Sequence, residues 1–186
     1  MIRPVMRMGE PVLMQKAVSV TDFESPALHQ LVADMWDTMD AEGGIGIAAP
    51  QIGVSQQIVC FGTYESECAK GALHVPRTVL INPIIEPVGD EVIDHWEGCL
   101  SVPGLRGVVT RSIAVRYRGL DLEGNAIDRT VDGLHARVVQ HECDHLKGIL
   151  YPMRVTDWTR FGYQDVFFRK KRVIEYRVYG IFESKS

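Results

Sequence analysis

From Ser25 the chain settles into a helical rhythm. Leu28, Leu31, Val32, Met35, Trp36 and Met39 recur at intervals of three and four until Gly43 and Gly44 interrupt them. Ser25 suits an N-cap and Pro26 a first-turn position, so an N-terminal amphipathic helix is predicted, its Met and Trp stripe facing the core. The rhythm then shortens. Residues 57–62 and 78–85 read as strands, the second bounded by Pro83 and Pro87. Residues 108–118 and 126–131 read as two more, joined around 120–125, where Gly124 and Asn125 signal a turn. A second helix is predicted from Asp132 or Gly133, with Leu134, Val138, His141 and His145 on one side and Gly148 in the C′ position. Residues 173–182, rich in β-branched and aromatic side chains, read as a last strand, with 169–172 and the tail solvated.

Composition narrows the class without deciding the function. A chain of 186 residues that is 46% hydrophobic fits one domain with one core. A net charge of −4 gives no global attraction to DNA, RNA or an anionic membrane. The first residues carry no apolar run of signal-peptide length, which points to the cytoplasm. Residues 43–64 are uncharged throughout, but Pro50, Gln51, Gln56 and Gln57 make them a core segment and not a membrane span. Cys60, Cys68, Cys99 and Cys143 form no CxxC pair, as expected of reduced thiols in a reducing compartment.

Two stretches carry chemistry. Gly44, Gly46 and Ala49 satisfy GxGxxA, and Glu65 follows at the distance of a ribose-binding acid. Context excludes a dinucleotide site, because a helix precedes the glycines where a strand is needed, and Pro50 falls where the phosphate-binding helix should be under way. The second stretch, QHECDHLKG, places His141, Glu142 and His145 as HExxH. Imidazoles four residues apart lie about 40° apart around a helix, so both can face one metal ion while Glu142 reaches its water. With 6 histidines in the chain, a chance HExxH has an expectation of about 0.01.

A catalytic metal site needs a third protein ligand. Tyr151 stands where a metzincin would place its third histidine, and Asp157, Asp165 and Glu175 lack an evident platform, so the ligand lies upstream. The candidates are Cys99, in EGCLSVPG, and His74 or His95. Cys143 is about 160° from His141 around the helix and reads as packing.

Three separated motifs, GIGIAAPQ at 44–51, EGCLS at 97–101 and QHECDHLKG at 140–148, together resemble peptide deformylase, in the order of that family's signatures. The resemblance spans nearly the whole chain and weakens after about residue 165, leaving about 166–186 as a variable segment. It implies an α+β fold of antiparallel sheets packed around the HExxH helix. It also implies hydrolysis of the formyl group from N-formylmethionyl nascent peptides, with release of formate. By the same resemblance Cys99, His141 and His145 hold one divalent metal, Fe²⁺ natively, replaceable by Zn²⁺ or Ni²⁺; the ligand set alone favours zinc. Glu142 is then acid and base, and the Leu100 N–H and the Gln51 amide stabilise the oxyanion.

Around this set several readings stay open. Glu97 or Asp144 orients the imidazoles. Gly44 and Gly46, lacking Cβ atoms, admit an extended peptide as an added strand, and Ile45 lines the methionine pocket. Leu134 and Val138 are pocket or core. Arg106 meets the peptide backbone or carboxylate, or is a plain surface residue. Arg137 borders the pocket or snorkels outward. The run RKKR at 169–172 is a solvated face or a transient ribosome contact. Two competing functions are a metallopeptidase cutting unformylated peptides and a noncatalytic peptide-binding paralogue.

Overall fold

The computed structural model describes residues 1–64 and 74–168, so the predicted strand at 173–182, the basic run at 169–172, Glu65 and Cys68 lie outside the described residues. A short 3₁₀ turn at Pro11–Met14 precedes helix α1, Pro26–Ala41, which begins after Ser25 and carries Pro26 in its first turn, as its sequence predicts. Its inward stripe buries Leu28, Leu31, Val32, Met35 and Met39.

Strand β1, Gly46–Ala48, follows, and then a 3₁₀ turn at Ala49–Ile52 that ends on left-handed Gly53. A helix thus precedes the glycines and no long helix follows them, the arrangement that excludes a dinucleotide fold. Strands β2 (Ile58–Phe61) and β3 (Thr78–Pro87) come next, with β4 (Val92–Cys99), β5 (Val102–Ser112), β6 (Ala114–Leu120) and β7 (Ala126–Asp132) after them. Helix α2, Gly133–His145, and a short β8, Phe161–Tyr163, with α3, Gln164–Phe167, complete the elements.

Two antiparallel sheets result, one ordered β1-β2-β3-β6-β7 and the other β4-β5-β8. The fold is the predicted α+β, and α2 contacts strands of both sheets. One expectation needs correction. The single strand read over 108–118 is two strands, because β5 ends at Ser112 in the smaller sheet and β6 starts at Ala114 in the larger. The backbone changes sheets at Ile113, whose N–H is taken by the Glu91 carbonyl and whose carbonyl accepts from Gly133. Alternation on both sides of that residue hides the exchange.

The end of α2 is fixed twice over. Gly148 donates to the His145 carbonyl and Ile149 to the Asp144 carbonyl, the paired bonds of a Schellman motif. Gly148 takes φ +72°, and a Cβ there would sit 2.7 Å from the Met14 backbone, so only glycine fits the turn and the contact. Ile45, Ala48, Val59, Phe61, Leu80, Tyr117, Val138 and Val139 form the core between α2 and the five-stranded sheet. No helix among the described residues is long and apolar enough to cross a membrane.

Candidate active site

The site forms where a strand of period two faces a helix of period four. Glu97 and Cys99 stand two residues apart at the end of β4, on either side of an irregularity in its pairing with β5, and His141 and His145 stand one turn apart on α2, about 6 Å. The two pairs meet side chain to side chain. The His141 Nδ1 lies 2.9 Å from Glu97 Oε2, and the His145 Nε2 lies 3.3 Å from Cys99 Sγ. Cys99 ends β4 at a two-residue turn, Leu100 and Ser101, that leads into β5.

The donor atoms of Cys99, His141 and His145 all lie within 4.8 Å of one another, and all three residues are buried. Donors that share one ion at metal–ligand distances of about 2.0–2.3 Å stand roughly 3.5 Å apart, which the Cys99–His145 separation matches. A thiolate and two imidazoles fit a divalent transition metal and leave a position open for water or substrate. His74 and His95 are not in this group.

Glu142 and Gln51 complete the buried set, each fully enclosed. The Gln51 Oε1 accepts from the Ala48 N–H at 2.9 Å, which fixes the amide so that its NH₂ faces inward, 3.1 Å from Ser101 Oγ and 3.4 Å from Cys99 Sγ. Glu142 rests against Gly46. A Cβ on that glycine would lie 2.6 Å from the Glu142 carboxyl carbon and 2.8 Å from its Cγ, so the glycine makes room for Glu142 itself. At Gly44 an added Cβ would come within 3.2 Å of the Leu100 and Met39 side chains. Ile45, Leu134 and Val138 are contiguous within the α2 core cluster.

Electrostatics around His141 answer two of the open readings. Glu97, and not Asp144, touches an imidazole. Burial raises the Glu97 carboxyl, but Arg111 beside it and the bonds from Arg111 and His141 outweigh burial and hold it well below the usual carboxylate range. Burial likewise lowers His141, while Cys99 and Glu97 raise it well above the ordinary value; burial and the His141 charge push His145 well below. Arg137 does not snorkel outward. It is buried, and donates to Glu97 Oε1 at 2.7 Å and to the Val109 and Ile93 carbonyls at 3.1 and 2.8 Å. Arg106 is half-buried, lies across Gly98 and donates to the Leu105 carbonyl at 3.1 Å.

Sequence reasoning missed Arg111 and Ser101. The signal for Arg111 was available, since alternation along β5 sets it on the same inward face as Val109.

Comparison with known proteins settles the family. The polypeptide deformylase family model matches residues 2–161. This chain belongs to the polypeptide deformylase family. As a deformylase it is a metal-dependent hydrolase that removes the formyl group from nascent peptides. Peptide deformylase 2 of Ralstonia nicotianae is 58% identical over 168 residues, 90% of this chain and 95% of the relative. Peptide deformylase 1 of Nitrosomonas europaea is 56% identical, with 90% and 96% covered. A class I type b peptide deformylase from Acinetobacter baumannii, solved with Met-Ala-Ser bound, superposes with a TM-score of 0.76 at 36% identity, covering 83% of this deformylase and 99% of that chain.

Proposed function

We propose that this deformylase works in a single domain through Cys99, His141 and His145 as ligands of one divalent metal and Glu142 as the general acid and base. The observation that carries the assignment is the convergence of three buried metal donors with an enclosed glutamate and an amide held in one orientation. When bound, the ion supplies Lewis acidity and makes a hydrolytic water acidic enough to ionise near neutral pH.

The chain's own residues do the rest. Glu142 takes the proton of the attacking water and passes it to the leaving amine, and its enclosure keeps that proton from bulk solvent. As the formyl carbon becomes tetrahedral, charge gathers on its oxygen. The Gln51 NH₂, already turned inward, and the Leu100 backbone N–H donate to it.

β1 lies at one edge of the five-stranded sheet, so an extended peptide can pair alongside Gly44, Ile45 and Gly46. Ile45, Leu134 and Val138 wall the pocket for the methionine side chain, and Arg106 meets the peptide further along. Fe²⁺ is the native ion, with Zn²⁺ or Ni²⁺ able to replace it, and the compartment is the cytoplasm. Contact with the ribosome is transient.

Formate release from a formyl-Met tripeptide tests this reading. Wild-type protein with metal bound releases formate, and Glu142→Ala retains the metal without turnover; metal-loaded wild type that releases none refutes it. Metal analysis of active protein purified without oxygen reads the native ion, and cleavage of unformylated peptides instead favours the metallopeptidase.

A further inference from the structure

Behind the ligands lies a second layer of charge that the chemistry of formyl hydrolysis does not itself require. Arg111 projects from β5 and is 5% exposed. Its Nε and Nη2 grip both Glu97 oxygens at 2.9 Å, and its Nη1 reaches Asp144 Oδ2 at 2.5 Å. Glu97 precedes Cys99 by two residues on β4, while Asp144 immediately precedes His145 on α2. One planar guanidinium therefore spans the strand that carries the thiolate and the helix that carries both imidazoles.

The bond pattern leaves the carboxylate little freedom. Glu97 Oε1 accepts from Arg111 Nε and Arg137 Nη1, and Oε2 from Arg111 Nη2 and the His141 Nδ1. Asp144 is closed from its far side by Arg154, whose Nε and Nη2 take both oxygens. Arg137 also joins α2 to the smaller sheet, through Glu97 and through backbone carbonyls of β4 and β5, but without a bond to Asp144. A fork with donors in two directions can grip two carboxylates at once in fixed geometry, whereas a lysine ammonium at the same place serves as a single point of charge.

We infer that Arg111 is a positioning residue for the metal centre: by clamping Glu97 to Asp144 it fixes the spacing between Cys99 and the two histidines. The inference rests on the ligand assignment of the preceding subsection and deepens it. Groups that orient ligands typically contribute 10- to 100-fold in metal affinity, and Arg111 acts at both ends of the ligand set.

The experiment loads wild type, Arg111→Met, Arg111→Lys and the exposed control Arg116→Met with Co²⁺. It records the thiolate-to-cobalt absorption band and the rate at which a chelator removes the ion, with folding checked by circular dichroism. Wild type and Arg116→Met are expected to share one spectrum and one release rate. Arg111→Met should shift or weaken the band and release cobalt about 10- to 100-fold faster, with partial recovery in Arg111→Lys. If Arg111→Met fails to fold, Asp144→Asn, which keeps the volume nearly unchanged, carries the same expectation, and Arg111→Lys a smaller change in the same direction.

Folded variants with the wild-type band and release rate overturn the inference, even if their melting temperatures fall, because a purely structural arginine would do that much. Wild type that takes up no cobalt overturns the ligand assignment instead, so the two failures are distinguishable.

Discussion

Helices α1 and α2 both pack into the interior, α1 along one face and α2 on nearly every side, yet they bury different things. α1 turns Leu28, Leu31, Val32, Met35 and Met39 inward. Its two buried polar residues, Asp34 and Thr38, are satisfied from the helix itself and from the chain's first residues: Gln30, Arg3 and the N-terminal ammonium donate to Asp34, and the Thr38 hydroxyl donates to the Asp34 carbonyl. α2 buries Arg137, His141, Glu142, Asp144 and His145, whose recorded side-chain partners reach across to β4, β5 and residues after the helix. Burial on α1 is stabilising in itself. On α2 it costs desolvation that the partners have to offset.

The contrast makes substitutions in α2 chemical and substitutions in α1 thermodynamic. The largest effect is expected at Glu142, where alanine lowers formate release by about 10²–10⁴-fold with metal content unchanged, read by a coupled formate assay and metal analysis. Comparable loss of activity and of metal would instead make Glu142 a ligand. Next comes the pair of cysteines. Cys99→Ser is expected to lose metal, whereas Cys143→Ser keeps it, because Cys143 belongs to the core cluster and burial pushes its thiol up to about 12. Equal metal loss in the two variants breaks the ligand choice.

Met35, fully buried on α1, supplies the converse. Its replacement by alanine should cost about 2–5 kcal/mol of stability in urea unfolding while the folded enzyme keeps its kcat. A fall in kcat without a fall in stability would dissolve the distinction between the helices.

The smallest effect concerns pH. His135, in the first turn of α2, lies 3.2 Å from the Tyr117 hydroxyl, and burial, then Arg129, lowers it from 6.5 to about 4. Between those values the unfolded chain binds a proton that the folded chain does not, so stability falls as pH drops from about 6.5 towards about 4 and is unaffected above. Because His135 is only half-buried, about 1–2 kcal/mol is expected between pH 7 and 5. His135→Gln should remove that part of the slope in paired urea titrations, and an unchanged slope refutes it.

Much of this contrast is legible in the sequence. The 3.6 period, the proline after Ser25 and the glycine at 148 delimit both helices, and HExxH names three of the central residues, because caps and periodicity are local. What periodicity does not encode is which sheet a strand joins. Val108, Val109, Val115 and Tyr117 are all buried, so the pattern runs through Ile113 without a break. Arg137 resists interpretation for a related reason. A cation on a buried helix face is anomalous until Glu97, 40 residues earlier in the chain, is placed against it. Gln51 is the intermediate case, identified by its motif but given its orientation by the Ala48 N–H.

The space over Gly46 has a genetic consequence. Any replacement of that glycine would set a carbon within 2.6–2.8 Å of the Glu142 side chain, so every amino-acid change at position 46 crowds the proposed base. Selection acting on this edge of the sheet, for instance from a compound lodged beside β1, finds that route closed and has to escape through residues that do not share volume with the reaction.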